Sequence, residues 1–218
     1  MNRREALTAV SVLLGGTLVG AEAFLSGCKT APKTGLLTAA DIALLDEVGE
    51  TIIPATPDSG GAKAAHIGAF IQTMVTDCYT PAEQQAFTDG LGQLKKSCKE
   101  QYNTSFEKLS PADKTAFLTA LYNTAKLYIS TDAYKNAKVL FDQQQEEQVK
   151  TAAARNDFGA SYLRENYPPH YFTMIRQLTL WGYFSSDIGM TRALRYVETP
   201  GRYDGNYPYK KGDKAWAM

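Results

Sequence analysis

Histidine and cysteine are scarce in this chain: two and three among 218 residues. That leaves little material for a metal site, and the Cys-x-x-Cys-His run that attaches a c-type haem is missing. An excess of one charge is missing too. Lysine plus arginine number 23 and aspartate plus glutamate 23, so the formal net charge is zero. A protein that grips phosphate backbones carries a basic surplus, so no nucleic-acid partner is expected. There is no Walker loop, no His-Glu-x-x-His and no Gly-x-Ser-x-Gly. The glycine pairs Gly15-Gly16 and Gly60-Gly61 do not build a dinucleotide fingerprint after a strand. His66 and His170 read as structural or solvent-facing, and Asp132, Asp142, Glu146 and Glu147 as a solvated face. No catalytic residue, metal ligand or cofactor contact is therefore assigned to this chain. Beyond residue 28 no apolar run approaches the roughly 20 residues of a bilayer-spanning helix.

What is present begins at the N-terminus. Arg3-Arg4, followed by Leu7 and an apolar stretch from Thr8 to Ala21, has the order of an export signal. The paired arginines resemble the twin-arginine type, which carries folded cargo. Two cleavage patterns compete. Ala21-Glu22-Ala23 fits the small-x-small rule, and Leu25-Ser26-Gly27-Cys28 fits a lipobox, in which Cys28 takes the lipid. The lipobox is the preferred reading, with Glu22 a departure from an ordinary leader. Residues 1–28 are then signal peptide, 29–36 a polar tether, and 37–218 one domain.

That domain reads as all-α, a compact array of about six or seven helices. Thr38-Ala39-Ala40-Asp41, Thr80-Pro81-Ala82-Glu83 and Ser110-Pro111-Ala112-Asp113 are helix starts. In each, a hydroxyl serves an orphan amide and an acid sits three residues on; in the last two, proline takes the first helical position. Ile67, Phe70, Ile71, Met74, Val75 and Cys78 form one apolar stripe, and Phe87, Leu91, Leu94 and Cys98 a second. Phe117, Ala120, Leu121, Thr124 and Tyr128 make a third. A polar helix is expected over Gln143–Arg155, with Tyr162 and Leu163 beyond it. Another follows Pro168-Pro169, carrying Tyr171, Ile175, Leu178 and Trp181 or Gly182.

Residues 199–218 hold too much proline and glycine for a long helix and read as an irregular tail. Aromatics concentrate nearby: 13 of the 24 lie between Phe158 and Trp216. Tyr, Trp and Arg are the usual anchors of interfaces. Trp181, Tyr183, Phe184, Ile188, Tyr203, Tyr207 and Trp216 are therefore the candidate partner contacts. Cys78 and Cys98 should stay unpaired. Two helices joined near Pro81 form an antiparallel hairpin, which places Cys98 roughly 25 Å from the turn at about 1.5 Å per residue. A disulfide needs Cα atoms within about 7 Å. Both cysteines fall on apolar stripes, so both are expected to be buried.

Two stretches point further. Glu50-Thr51-Ile52-Ile53-Pro54-Ala55-Thr56-Pro57 leads to Gly61-Ala62-Lys63, and Trp181-Gly182-Tyr183-Phe184-Ser185-Ser186-Asp187-Ile188-Gly189 leads to Arg195-Tyr196 and Pro200-Gly201-Arg202-Tyr203-Asp204-Gly205. From about Leu37 to Trp216 the chain resembles the gluconate 2-dehydrogenase subunit 3 family, the small or gamma subunit. The resemblance implies a non-catalytic accessory subunit of an FAD-dependent sugar or sugar-acid dehydrogenase. It implies a flavoprotein partner of the glucose–methanol–choline oxidoreductase class and a c-type cytochrome. FAD and haem would sit on those partners, and the complex on the periplasmic side of the envelope. The chain departs from the family at Asn206, where a cysteine is expected, and at Asp187, where glutamate is expected. No disulfide or redox role is carried over to the tail. A reading from a different class is a free-standing envelope lipoprotein that binds a carbohydrate or protein partner, since sugar C–H faces stack on Tyr and Trp.

The leader yields the first test. Lipoprotein processing adds two or three acyl chains, enough for stable anchoring. Cys28→Ala should release the protein from the membrane fraction, and lysine at both Arg3 and Arg4 should strand the precursor in the cytoplasm. Fractionation followed by immunoblotting reads both.

Overall fold

The computed structural model describes residues 35–157, 165–199, 201 and 204–217. The leader, its cleavage patterns, Tyr162, Leu163 and Tyr203 lie outside them. Among the described residues there are six α-helices: α1 (Ala39–Ile52), α2 (Ile67–Cys78), α3 (Pro81–Tyr102), α4 (Pro111–Tyr128), α5 (Asp132–Ala154) and α6 (Tyr171–Ser185). A 3₁₀ turn spans Phe106–Lys108 and a π turn Gly189–Ala193. The domain is all-α, and extended pairing among the described residues is limited to two isolated bridges, Thr56 with Ser59 and Arg195 with Trp216.

Local chemistry sets the helix starts. Thr38 accepts from the Asp41 amide at 3.2 Å while the Asp41 carboxylate accepts from the Thr38 amide at 2.9 Å. Thr80 and Glu83 repeat this reciprocal cap at 3.3 and 3.0 Å. Ser110 accepts from the Asp113 amide, but its own hydroxyl takes the carboxylate at 2.6 Å. Two acids also tie helices together. Asp41 pairs with Lys95 of α3, and Glu47 with Lys63 and, at 2.9 Å, with Lys114 of α4. Hydrogen bonds from Lys63 and Lys114 hold the Glu47 carboxyl below its usual range. At Asp41 burial opposes ionisation, but hydrogen bonds from Lys95 and Thr38 outweigh it.

Helix α2 starts without a side-chain cap. His66 adopts the left-handed region, φ 52°. The orphan amide of Gly68 is met from another helix, donating to Asp46 of α1 at 2.7 Å. A Cβ at Gly68 would lie 2.3 Å from the Ile42 carbonyl oxygen, so glycine sets the distance at which α1 and α2 cross.

Helix α6 lies at the centre, packed against α1, α2, α3 and α4. It buries Phe172, Met174, Ile175, Leu178 and Tyr183 against Leu44, Leu45, Ile71, Val75, Phe87 and Leu94 of the other helices. Its apolar stripe passes through Gly182, leaving Trp181 outside.

Three expectations are corrected. On α4 the buried positions are Phe117, Leu118 and Ala125, while Ala120 and Thr124 face outward. The buried stripe is turned by about one residue from the expected one, and at its start Phe117 meets Phe106 of the 3₁₀ turn. The polar helix starts at Asp132, capped by Thr131, about eleven residues before the expected Gln143. It buries no residue fully, so no apolar stripe announces it. Cys78 is exposed, because the last turn of α2 runs past the core, whereas Cys98 is buried.

Both thiols are unpaired. Burial pushes the Cys98 thiol up, away from its reactive thiolate. In native protein a thiol reagent should label Cys78 alone, with Cys98 reacting only after denaturation. Mass spectrometry of the two labelled samples checks this.

Candidate partner interface

The first of the two stretches folds into a loop organised by one carboxylate. Glu50, at the end of α1, accepts from the Ala55 amide with one oxygen and from the Lys63 amide with the other, both at 2.9 Å. The backbone at Gly61 passes so close that a Cβ there would meet the Glu50 carboxylate at 2.3 Å. Between these anchors Thr56-Pro57-Asp58-Ser59 forms a tight turn, Thr56 N donating to Ser59 O at 2.8 Å, with proline at its favoured second position.

The second stretch ends α6 and meets that loop. Tyr183 is 2% exposed. Its hydroxyl donates to the Gly60 carbonyl at 2.7 Å and lies 2.7 Å from the Ser59 hydroxyl. With one hydrogen on the phenol, Ser59 is the donor in the second bond. Ser186 then closes the helix. Its hydroxyl donates to Tyr183 O at 2.7 Å and accepts from Gly189 N at 3.1 Å. A Cβ at Gly189 would fall 1.8 Å from Tyr183 O, so only glycine permits this chain reversal. Ile188, half-buried, lies against Gly60. The two stretches, more than 120 residues apart, are thus one structural unit.

This placement divides the candidate contacts. Tyr183 is a correction: its ring is sealed in the core and its hydroxyl holds the loop, so no partner can reach it. Trp181 and Phe184, on the outer face of the same helix, are 57% and 42% exposed. Trp181 is held edge-on by Phe70 of α2 at 5.8 Å, and Gly182 lets the helix lie against that ring. The result is an aromatic ledge fixed from beneath.

Tyr207 and Trp216 belong to a second group, gathered by Arg195. Arg195 N donates to Ala215 O and Ala217 N to Arg195 O, both at 2.8 Å. The guanidinium lies 4.8 Å from the Trp216 ring and 5.5 Å from the Tyr207 ring, and 3.6 Å from the Asp213 carboxylate. Each ring remains about half exposed. The roles of Arg195, Glu50 and Ser59 were not assigned from sequence, although Arg195 and Glu50 stand in the quoted stretches and Ser59 lies between the two parts of the first. Arg3, Arg4, Cys28 and Tyr203 lie outside the described residues. Among the described residues no group of three or more His, Cys, Asp or Glu is placed to hold a metal ion. Nor is any helix there long and apolar enough to cross a membrane.

Tyr183→Phe leaves the core filled but takes the phenol partner from the half-buried Gly60 carbonyl and Ser59 hydroxyl, costing about 1 kcal/mol. Thermal unfolding should show a drop of several degrees. Trp181→Phe, at the exposed ledge, should leave the melting temperature almost unchanged.

No curated protein and no solved structure matches this chain. One family model does, gluconate 2-dehydrogenase subunit 3, over residues 39–201. That span takes in both stretches, the loop held by Glu50 and the α6 end that locks onto it. On that match the chain belongs to the gluconate 2-dehydrogenase subunit 3 family.

Proposed function

We propose that this protein is the non-catalytic accessory subunit of a periplasmic, FAD-dependent sugar or sugar-acid dehydrogenase complex. It carries the twin-arginine signal at Arg3-Arg4 and is anchored through a lipid on Cys28. Substrate chemistry takes place on a glucose–methanol–choline-type flavoprotein, which holds the FAD, and a c-type cytochrome accepts the electrons. A folded flavoprotein without its own leader then crosses the membrane as a passenger of this chain.

The observation that supports this reading is the two-sidedness of α6. Its inner face ties together the stretches that mark the family, and its outer face presents Trp181 and Phe184 to solvent on a rigid support. An exposed tryptophan whose position is already fixed loses little freedom on docking, which is how interface hot spots are built. The Arg195 cluster, with Tyr207 and Trp216, offers a second aromatic contact.

Affinity capture of the tagged chain from membranes of its native host tests the proposal. A flavoprotein with flavin absorbance and a haem-staining cytochrome should co-purify. Trp181→Ala with Phe184→Ala should weaken flavoprotein retention by about thirtyfold, the scale of a lost hot spot of roughly 2 kcal/mol. Truncation after Tyr196 should weaken it too, with helicity by circular dichroism largely kept. Capture of this chain with no flavoprotein overturns the reading.

A further inference from the structure

On the far side of the α3–α4 pair lies a cleft of about 620 Å³. Its α3 wall carries two adjacent lines of residues. Ala82, Ala86 and Gly90 form a low floor, and Gln85, Asp89 and Gln93 an exposed polar rim, each line with the four-residue spacing that keeps a helix face in register. The opposite wall is aromatic: Tyr128 from α4, Phe141 from α5, and Tyr167, His170 and Tyr171 from the segment leading into α6.

These rings are locked to one another. Phe141 meets Tyr167 at 5.6 Å, Tyr167 meets Tyr134 at 5.3 Å, Tyr134 meets Tyr128 at 5.1 Å and Tyr128 meets His170 at 5.2 Å, all edge to face. His170 then stacks on Tyr171 at 4.4 Å. An edge-to-face series of this kind fixes each ring from two sides, so the wall is formed before any ligand arrives. Tyr171 is itself seated on Gly90, where a Cβ would come within 2.1 Å of it.

The polar side is oriented as well. The Gln85 side-chain amide donates to the Asp89 carboxylate at 2.8 Å across the exposed rim. Among the described residues the lining contains no lysine or arginine. His170 accepts the Phe172 amide at Nδ1, and its burial favours the neutral ring. Burial keeps the Tyr128 and Tyr171 phenols protonated, with their titration pushed up to about 12. The described lining of the cleft therefore offers ring faces, amides, phenol hydroxyls and one carboxylate, and no cation. An anion has nothing to pair with and meets Asp89. A purely apolar ligand would cover the rings and make no use of the polar rim. A small quaternary cation would fill only a fraction of a cleft this size. A ligand with C–H faces for the rings and hydroxyls for the rim satisfies both walls.

We propose that the cleft between the Gln85–Gln93 rim and the Tyr128–Tyr171 ring wall is a binding site for a neutral saccharide. The proposal does not rest on the assembly described above, since a chain without partners would keep the cleft. The detergent-solubilised full chain, labelled with ¹⁵N, is titrated with maltose and glucose, and separately with gluconate and tetramethylammonium. The Gln85 and Gln93 side-chain amide signals should shift saturably with the neutral sugars, with a Kd on the millimolar scale. Gluconate should bind at least about tenfold more weakly, because of Asp89. Gln93→Ala changes an exposed position and threatens no packing; it should weaken maltose binding about fivefold. Trp181→Ala, on the aromatic ledge, should leave it unchanged. Lack of saturation at about 100 mM maltose overturns the proposal. So does gluconate or tetramethylammonium binding as tightly as the sugars, or equal loss in the Trp181 variant.

Discussion

A phenol withdrawn from water must find partners for both its hydrogen and its lone pairs, or the burial costs more than the ring gains. In this protein the phenol is that of Tyr183, and its partners come from a loop more than 120 residues earlier. Meeting that requirement brings Ser59 and Gly60 onto the end of α6, and Glu50 holds the rest of their loop at its two amides. The same loop delivers the chain to α2 through the left-handed His66, so the placement of α2 on α6 follows from it. The seating of the loop on the end of α6 and the π turn beyond Ser186 follow from that hydroxyl and the glycines that let backbones approach it, while apolar burial holds the helix itself at the centre.

The sequence disclosed those features whose physics is local. The capping boxes at Thr38 and Thr80 satisfy amides within the next turn, and both are found where the residue pattern places them. Stripes on α2 and α3 were legible because those helices bury one clean face. Helix α4 was read a residue out of phase, since Ala120 and Thr124 share its periodicity with Leu118 and Ala125, and only the tertiary packing decides which face is buried. The start of α5 was hidden for the opposite reason. A helix about 35 Å long that buries nothing fully, and meets the body through Tyr134 and Phe141 on Tyr167, has no periodic signature.

The site was legible in part, and the division falls along a single helix. Trp181 and Tyr183 differ by two positions, about 200° around the axis at 3.6 residues per turn, so they face nearly opposite ways. Aromatic content alone put both in the interface. The distinction comes from Ser59, a small polar residue remote in sequence whose hydroxyl gives Tyr183 a reason to be inside. The ring wall around Tyr167 was likewise beyond a linear reading, because its members come from α4, α5 and the approach to α6. The family match, by contrast, runs over residues 39–201 and so takes in both the Glu50 loop and the α6 end.

The pairing of Arg195 with the backbone on either side of Trp216 joins the two ends of the last segment. A segment pinned at both ends is a closed loop, and the entropy of closing it grows only with the logarithm of its length. Doubling the number of residues between the pins adds only about 0.6 kcal/mol. The span between Arg195 and Trp216 is therefore the place where this domain can gain or lose residues at little thermodynamic expense. The family match ends at residue 201, just inside that loop. Residues can thus be added to or removed from the tip of the tail, and the aromatic surface it presents altered, without disturbing the helices beneath.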